Sequence, residues 1–182
     1  TRMYRYKSND LAEGFKKTFC RECKPHFIGV FDTVKSVGLF ISRKFPDAIL
    51  NPDVNVGIQA LSIDENRSNF RPNLWQKVIG TTQYIEQVWF AGYHSDIGGG
   101  FKDSGLSNIS LHWLINEAIK QGLLINRTIF SELKLNPLGK SHNLLFPLWW
   151  ILGWRGRLIK DDENIHETVF ERMDKLKNYK PK

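Results

Sequence analysis

The sequence predicts an α/β fold, a parallel sheet with flanking helices, and three observations carry that expectation. Apolar runs at Phe27-Ile-Gly-Val-Phe31 and at residues 85–91 have the length and bounds of strands buried on both faces. Segments with apolar residues at helical spacing alternate with them. Both strands also run into polar loops, and open α/β sheets hold their ligands at the carboxyl ends of their strands.

In chain order, Asn9 or Asp10 caps a first helix that carries Leu11, Phe15 and Phe19 at i, i+4 and i+8. The first strand ends in Asp32-Thr-Val-Lys-Ser-Val-Gly38. Asn51-Pro52 then supplies a cap and a first-turn proline for a second helix, with Val54, Ile58 and Leu61 on one face. The strand at 85–91 leads into Gly92-Tyr-His-Ser-Asp-Ile-Gly-Gly-Gly100. The clearest helix follows, starting at Ser107 or Ser110 and stopped by Gly122. Leu111, Leu114, Ile115, Ala118 and Ile119 form its apolar stripe. A last helix begins with the capping-box-like Asn164-Ile-His-Glu167 and carries Val169, Met173 and Leu176 on one face. Two strands are too few for an independent sheet, so further strands are expected from amino-terminal sequence outside this chain. A start at Thr1 without an initiator methionine gives the same expectation, an excised piece.

Composition narrows the class. A length of 182 residues suits one domain with a substantial core, and 41% hydrophobic content excludes a disordered chain. The net charge of +7 is spread along the chain and mixed with acids, with no run of five, so no nucleic-acid partner is expected. Residues 144–154, rich in tryptophan, are far short of the roughly 20 apolar residues that span a bilayer. With Arg155, Arg157 and Lys160 behind them, they offer either a lid making peripheral membrane contact or a loop packing its aromatics on the sheet. Cys20, Cys23 and His26 are too few for a structural zinc site and read as ordinary loop residues.

The chemistry is expected at the strand ends. His94 and Asp96 follow one strand and Asp32 the other, and a carboxylate beside an imidazole can orient it and raise its basicity toward a nucleophile. Gly98, Gly99 and Gly100 allow positive φ and close approach of a ligand to the backbone, although glycine runs often only make turns. No Lys-Ser/Thr follows them at P-loop spacing. His166 stands just ahead of the last helix, His112 lies beside the apolar stripe of its helix, and His142 sits in a loop without a pattern of its own.

Four blocks occur in a familiar order: Phe27-Ile-Gly-Val-Phe-Asp-Thr-Val-Lys-Ser-Val-Gly38, Ala60-Leu-Ser-Ile-Asp-Glu-Asn-Arg67, Val88-Trp-Phe-Ala-Gly-Tyr-His-Ser-Asp-Ile-Gly-Gly-Gly100 and Ile165-His-Glu-Thr-Val-Phe-Glu-Arg172. They resemble the family of uncharacterised α/β hydrolases of fungi and bacteria that includes type VI secretion phospholipase effectors. The resemblance implies a serine esterase or lipase domain acting on an ester or phospholipid without cofactor or metal, of which residues 1–182 are the carboxyl-terminal portion. It also implies a Gly-x-Ser-Arg-Gly elbow ahead of the first block. No Gly-x-Ser-x-Gly occurs in the chain, so the nucleophile is expected outside it. The order nucleophile, acid, base then leaves two pairs open, Asp96 with His166 or Asp32 with His94. The first is favoured by the helix that would lie between acid and base. The family often has His-Asp-Ser before its late tryptophans where this chain has Ser141-His-Asn143, which weakens any role for His142. The alternative to an enzyme is a non-catalytic remnant used as a protein- or membrane-interaction domain.

Overall fold

A computed structural model describes residues 9–181 apart from 22, 35, 38–42, 45–48, 77–79, 144–152, 154 and 161–162. Among the described residues, the elements in chain order are α1 (Asn9–Phe19), β1 (Phe27–Phe31), β2 (Ser36–Val37), β3 (Arg43–Lys44), β4 (Val56–Ser62), β5 (Tyr84–Phe90), α2 (His94–Gly98), α3 (Gly105–Lys120), α4 (Arg127–Ser131), β6 (Asn164–Ile165) and α5 (Glu167–Lys175). The main sheet has the order β1-β4-β5-β6, and every pairing in it is parallel. A two-residue antiparallel pair, β2 with β3, stands apart from it. The fold class is α/β, as the sequence predicts.

Strand alternation sorts the core onto two faces. Val88 and Phe90 of β5 join Ala60, Ile97, Leu106 and Ile109 on the side covered by α3. Trp89 and Ala91 point the other way, where they pack with Leu61, Ile63 and Val169 of α5. Helices therefore cover both faces of a parallel sheet, the arrangement that buries its strands on both sides.

Several elements differ from the sequence-based expectation. The predicted helix after Asn51-Pro52 is instead the central strand β4, with all seven residues buried. Asn51 makes a turn: its Oδ1 accepts the Asp53 amide at 2.9 Å and its carbonyl accepts the Val54 amide at 2.9 Å. Where every residue is buried, an i, i+4, i+7 pattern carries no information about period. Gly57 belongs to the same correction, because a Cβ there would strike Leu50 and approach Trp75 within 3.1 Å. The first strand, expected to be buried on both faces, is half-buried along its whole length, because β1 is an edge of the described sheet. The described sheet has four strands where the sequence pointed to two.

The long helix begins at Gly105, ahead of either predicted cap, and buries Leu106, Ile109, Ser110, Leu114 and Ala118. Leu111 and Ile115 face instead a shallow apolar groove shared with Ile129 and Phe130 of α4, and Ile119 is exposed. This helix is apolar on more than one side, so its stripe could be drawn in two ways. Asn164 lies in β6 rather than capping α5; the cap is His166, and the helix buries Val169 and Arg172 while Met173 is exposed. The predicted face of α1 exists, but Leu11, Phe15 and Phe19 are all exposed. The tryptophan-rich stretch lies outside the described residues except for Gly153.

Candidate active site

Asp32 follows β1 directly and turns the chain out of the sheet with φ of 43°, unusual for a residue with a side chain. Its amide donates to the Ala60 carbonyl at 2.7 Å, so the residue is held at the strand end and its carboxylate is wholly buried. Oδ1 accepts the Ser62 amide at 2.9 Å and Arg157 Nη1 at 2.5 Å. Oδ2 accepts Arg157 Nη2 at 3.0 Å and faces His94 Nδ1 at 2.7 Å. Burial pushes the Asp32 carboxyl up, but the bonds from His94, Arg157 and Ser62 outweigh it and hold the group below the ordinary carboxylate range.

His94 opens α2 at the end of β5, the second strand over from β1. With Asp32 ionised, Nδ1 carries the proton and donates it to Oδ2, which leaves Nε2 as the basic nitrogen. The imidazole is partly open, with 31% of the side chain accessible. Phe70 presents an edge to it at 5.1 Å between ring centroids. Glu65 Oε2 accepts the His94 amide at 3.3 Å, and both Glu65 oxygens are bound by the Arg67 guanidinium at 2.8 and 2.7 Å. Burial raises the Glu65 carboxyl and Arg67 more than offsets it, so this carboxylate too stays ionised. A fixed, buried carboxylate behind a partly exposed imidazole is a general-base arrangement.

The other predicted pair is not brought together. Asp96 is buried in the first turn of α2, where Oδ1 faces His142 Nδ1 at 2.7 Å and Oδ2 accepts the His142 and Tyr93 amides, both at 2.9 Å. The His142 ring stacks on Phe101 with centroids 3.9 Å apart. His166 turns toward its own helix, with Nδ1 2.9 Å from Thr168 Oγ1 and 3.3 Å from the Thr168 amide, and its ring stacks on Phe90 at 4.6 Å. Burial lowers its tendency to take a proton. Gly98 ends α2, and Gly99 and Gly100 follow with φ of 85° and 114°, so the run turns the chain out of a short helix.

Arg157 and His142 stand out in the sequence, but the contacts they make do not. Arg157, grouped there with surface cations, is buried on Asp32 and also donates to the Ser62 and Phe70 carbonyls at 2.7 and 2.6 Å. His142 had no local pattern, and only its pairing with Asp96 reveals it. Asp64, next to this cluster, is pushed up to about 6 by burial while accepting the Gly92 amide at 2.7 Å and the Tyr179 hydroxyl at 2.9 Å. Among the described residues no group of three or more His, Cys, Asp or Glu side chains is placed to hold a metal ion. Cys20 and Cys23 are exposed thiols, and His26 pairs with Gln121 at 3.1 Å. No helix among the described residues is long and apolar enough to cross a membrane.

Comparison with known proteins adds three findings. An uncharacterised protein of Saccharomyces cerevisiae is 44% identical over 66 residues, 35% of this chain; the chain spans about a tenth of that relative's length, 10%. No solved structure matches the chain. The catalytic domain of the Tle1-like phospholipase effectors of type VI secretion systems matches residues 2–117, a span that includes Asp32, His94 and Asp96 and excludes His142, Arg157 and His166. With well over half of its length matched, the chain belongs to the family of type VI secretion Tle1-like phospholipase effector catalytic domains.

Proposed function

We propose that residues 1–182 are the later part of one α/β-hydrolase domain and supply the acid and base of a serine carboxylic-ester hydrolase acting on phospholipid. Asp32 is the acid, His94 the base, and the serine comes from sequence outside the chain. The observation that carries this reading is the 2.7 Å contact of His94 Nδ1 with a buried, ionised Asp32 at the carboxyl end of a parallel sheet. Both residues fall within the family match.

In the proposed reaction His94 Nε2 takes the serine proton as the serine oxygen attacks the ester carbonyl. The resulting imidazolium, held by Asp32, returns that proton to the departing alcohol, and an acyl-serine forms. Water then attacks the acyl-serine, giving its proton to Nε2, and the imidazolium passes that proton to the departing serine oxygen, which releases the fatty acid and regenerates the serine. Asp32 stays ionised throughout; its role is to fix the tautomer and to stabilise the imidazolium. The half-buried outer edge of β1 is the expected berth for the strand that carries the elbow serine.

The test is labelling of the full-length protein with a serine-reactive phosphonate. His94→Ala and Asp32→Asn are expected to lower the labelling rate by about 10⁴-fold, and His166→Ala to leave it within a few-fold. Labelling that survives His94→Ala but is lost in His166→Ala would overturn the assignment.

A further inference from the structure

Beside the dyad lies a cavity of about 210 Å³ lined by Arg67, Phe70, Arg71, Arg155, Arg157 and Leu158, among others. At roughly 30 Å³ per water, it has room for about seven waters, enough for a phosphate group and the atoms next to it. Its charge does not balance. Arg67 is neutralised by Glu65 and Arg157 by Asp32. Arg71 and Arg155 are exposed and form no ion pair with a described carboxylate, so among the described residues the lining carries two cations in excess. The Arg155 amide donates to the Asn66 carbonyl at 2.7 Å, and the Ser68 amide to the Gly153 carbonyl at 3.2 Å. These bonds pin the segment bearing Arg155 to the loop bearing Arg67 and Arg71. Arg157 lines the wall with a side chain that is 4% exposed, its terminal nitrogens already bonded to Asp32 and to the Ser62 and Phe70 carbonyls.

We infer that this cavity binds a phosphoryl group, with Arg71 and Arg155 at its mouth and the Arg157 guanidinium in its wall. Guanidinium groups match phosphate oxygens in fork geometry, and a partly enclosed site strengthens each bond. The cavity shares Arg157 with Asp32, and its Phe70 wall is the ring that meets His94. A glycerophospholipid has its ester carbonyl only a few bonds from phosphorus, so a headgroup phosphate held here would bring that ester to the imidazole. The inference rests on the proposed hydrolase reading for the origin of the phosphate, and on the cavity alone for the binding.

The experiment titrates the full-length protein with glycerophosphoglycerol and, separately, with inorganic phosphate, following arginine Nε–H resonances and calorimetric heat. The diester is expected to bind and to perturb the Arg71 and Arg155 Nε–H signals. Arg71→Ala and Arg155→Ala are each expected to weaken it about tenfold, with an unchanged urea midpoint because both side chains are exposed. Binding of inorganic phosphate alone, with the diester excluded, would overturn the headgroup source. Absence of binding by either ligand, or binding indifferent to both variants, would overturn the site. Diester binding is expected to persist in His94→Ala, so loss of the hydrolase reading and loss of the phosphate site remain separate results.

Discussion

At the scale of single residues, the Asp32 carboxylate is shared among several donors. Asp32 receives two N–H bonds from Arg157, one from Ser62 and one from His94, and with its charge wholly buried each of those partners matters. Arg157→Met removes the guanidinium and leaves a buried carboxylate with fewer donors. The expected loss is about 3–5 kcal/mol of stability, measured by urea denaturation at neutral pH. Asp32→Asn in the same background should recover part of that loss, because it removes the stranded charge. Asp32 is held below its ordinary 3.8, so its stabilising contribution is present above that pH and is lost as the pH falls through its folded value. Acid unfolding of Arg157→Met should therefore depend less on this carboxyl than acid unfolding of the parent. The Asp96–His142 pair is organised differently: its hydrogen bonds tie α2 to the loop at residue 142.

At the scale of elements, the turn between β5 and α2 sets the angle at which His94 meets Asp32. Gly92 has φ of 118°, and a Cβ there would lie 2.5 Å from Asp96 Cβ. Gly92→Ala is expected to cost about 1–3 kcal/mol from backbone conformation alone, with a further cost from displacing Asp96. A lowered thermal midpoint and a perturbed His94 ring signal would check it. At α5, His166 accepts the Thr168 amide, as an N-cap does. His166→Ala should cost about 1 kcal/mol. Since burial lowers the folded His166 value below 6.5, this stability is present above that pH and fades as the pH falls below it. Comparing variant and parent urea midpoints at pH 5 and pH 8 tests the sign: the gap should be wider at pH 8.

Across the whole molecule, the segment after α5 is tied back to the sheet through Tyr179 and Asp64, 115 residues apart in sequence. Asp64 titrates at about 6 when folded against 3.8 otherwise, so the folded protein holds this proton more tightly. The linked stability is complete below about pH 4 and is lost as the pH rises through 6, a change of roughly 2–3 kcal/mol. Asp64→Asn should remove that slope, and the variant should gain on the parent between pH 4 and 7 in a series of denaturation curves.

The α/β class, the strand at Phe27–Phe31, the strand ahead of His94 and the helix ending before Gly122 were all legible from the sequence. Each leaves a local mark: a bounded apolar run, a helical stripe or a stopping glycine. The positions of Asp32, His94 and Asp96 at strand ends were legible too, but the favoured pairing of Asp96 with His166 was not the one the structure makes. The central strand was misread, because complete burial of Val56–Ser62 erases the period on which the distinction between helix and strand depends. Pairing was the other thing sequence could not supply. Asp96 took His142 and Asp32 took His94 and Arg157 across separations of 46, 62 and 125 residues. The sequence by itself determined which groups stand at the sheet's carboxyl ends. Only the tertiary structure decided which of them meet, because a buried carboxylate is neutralised by whichever donors the packed sheet and loops bring within reach, and that depends on long-range packing rather than on neighbouring sequence.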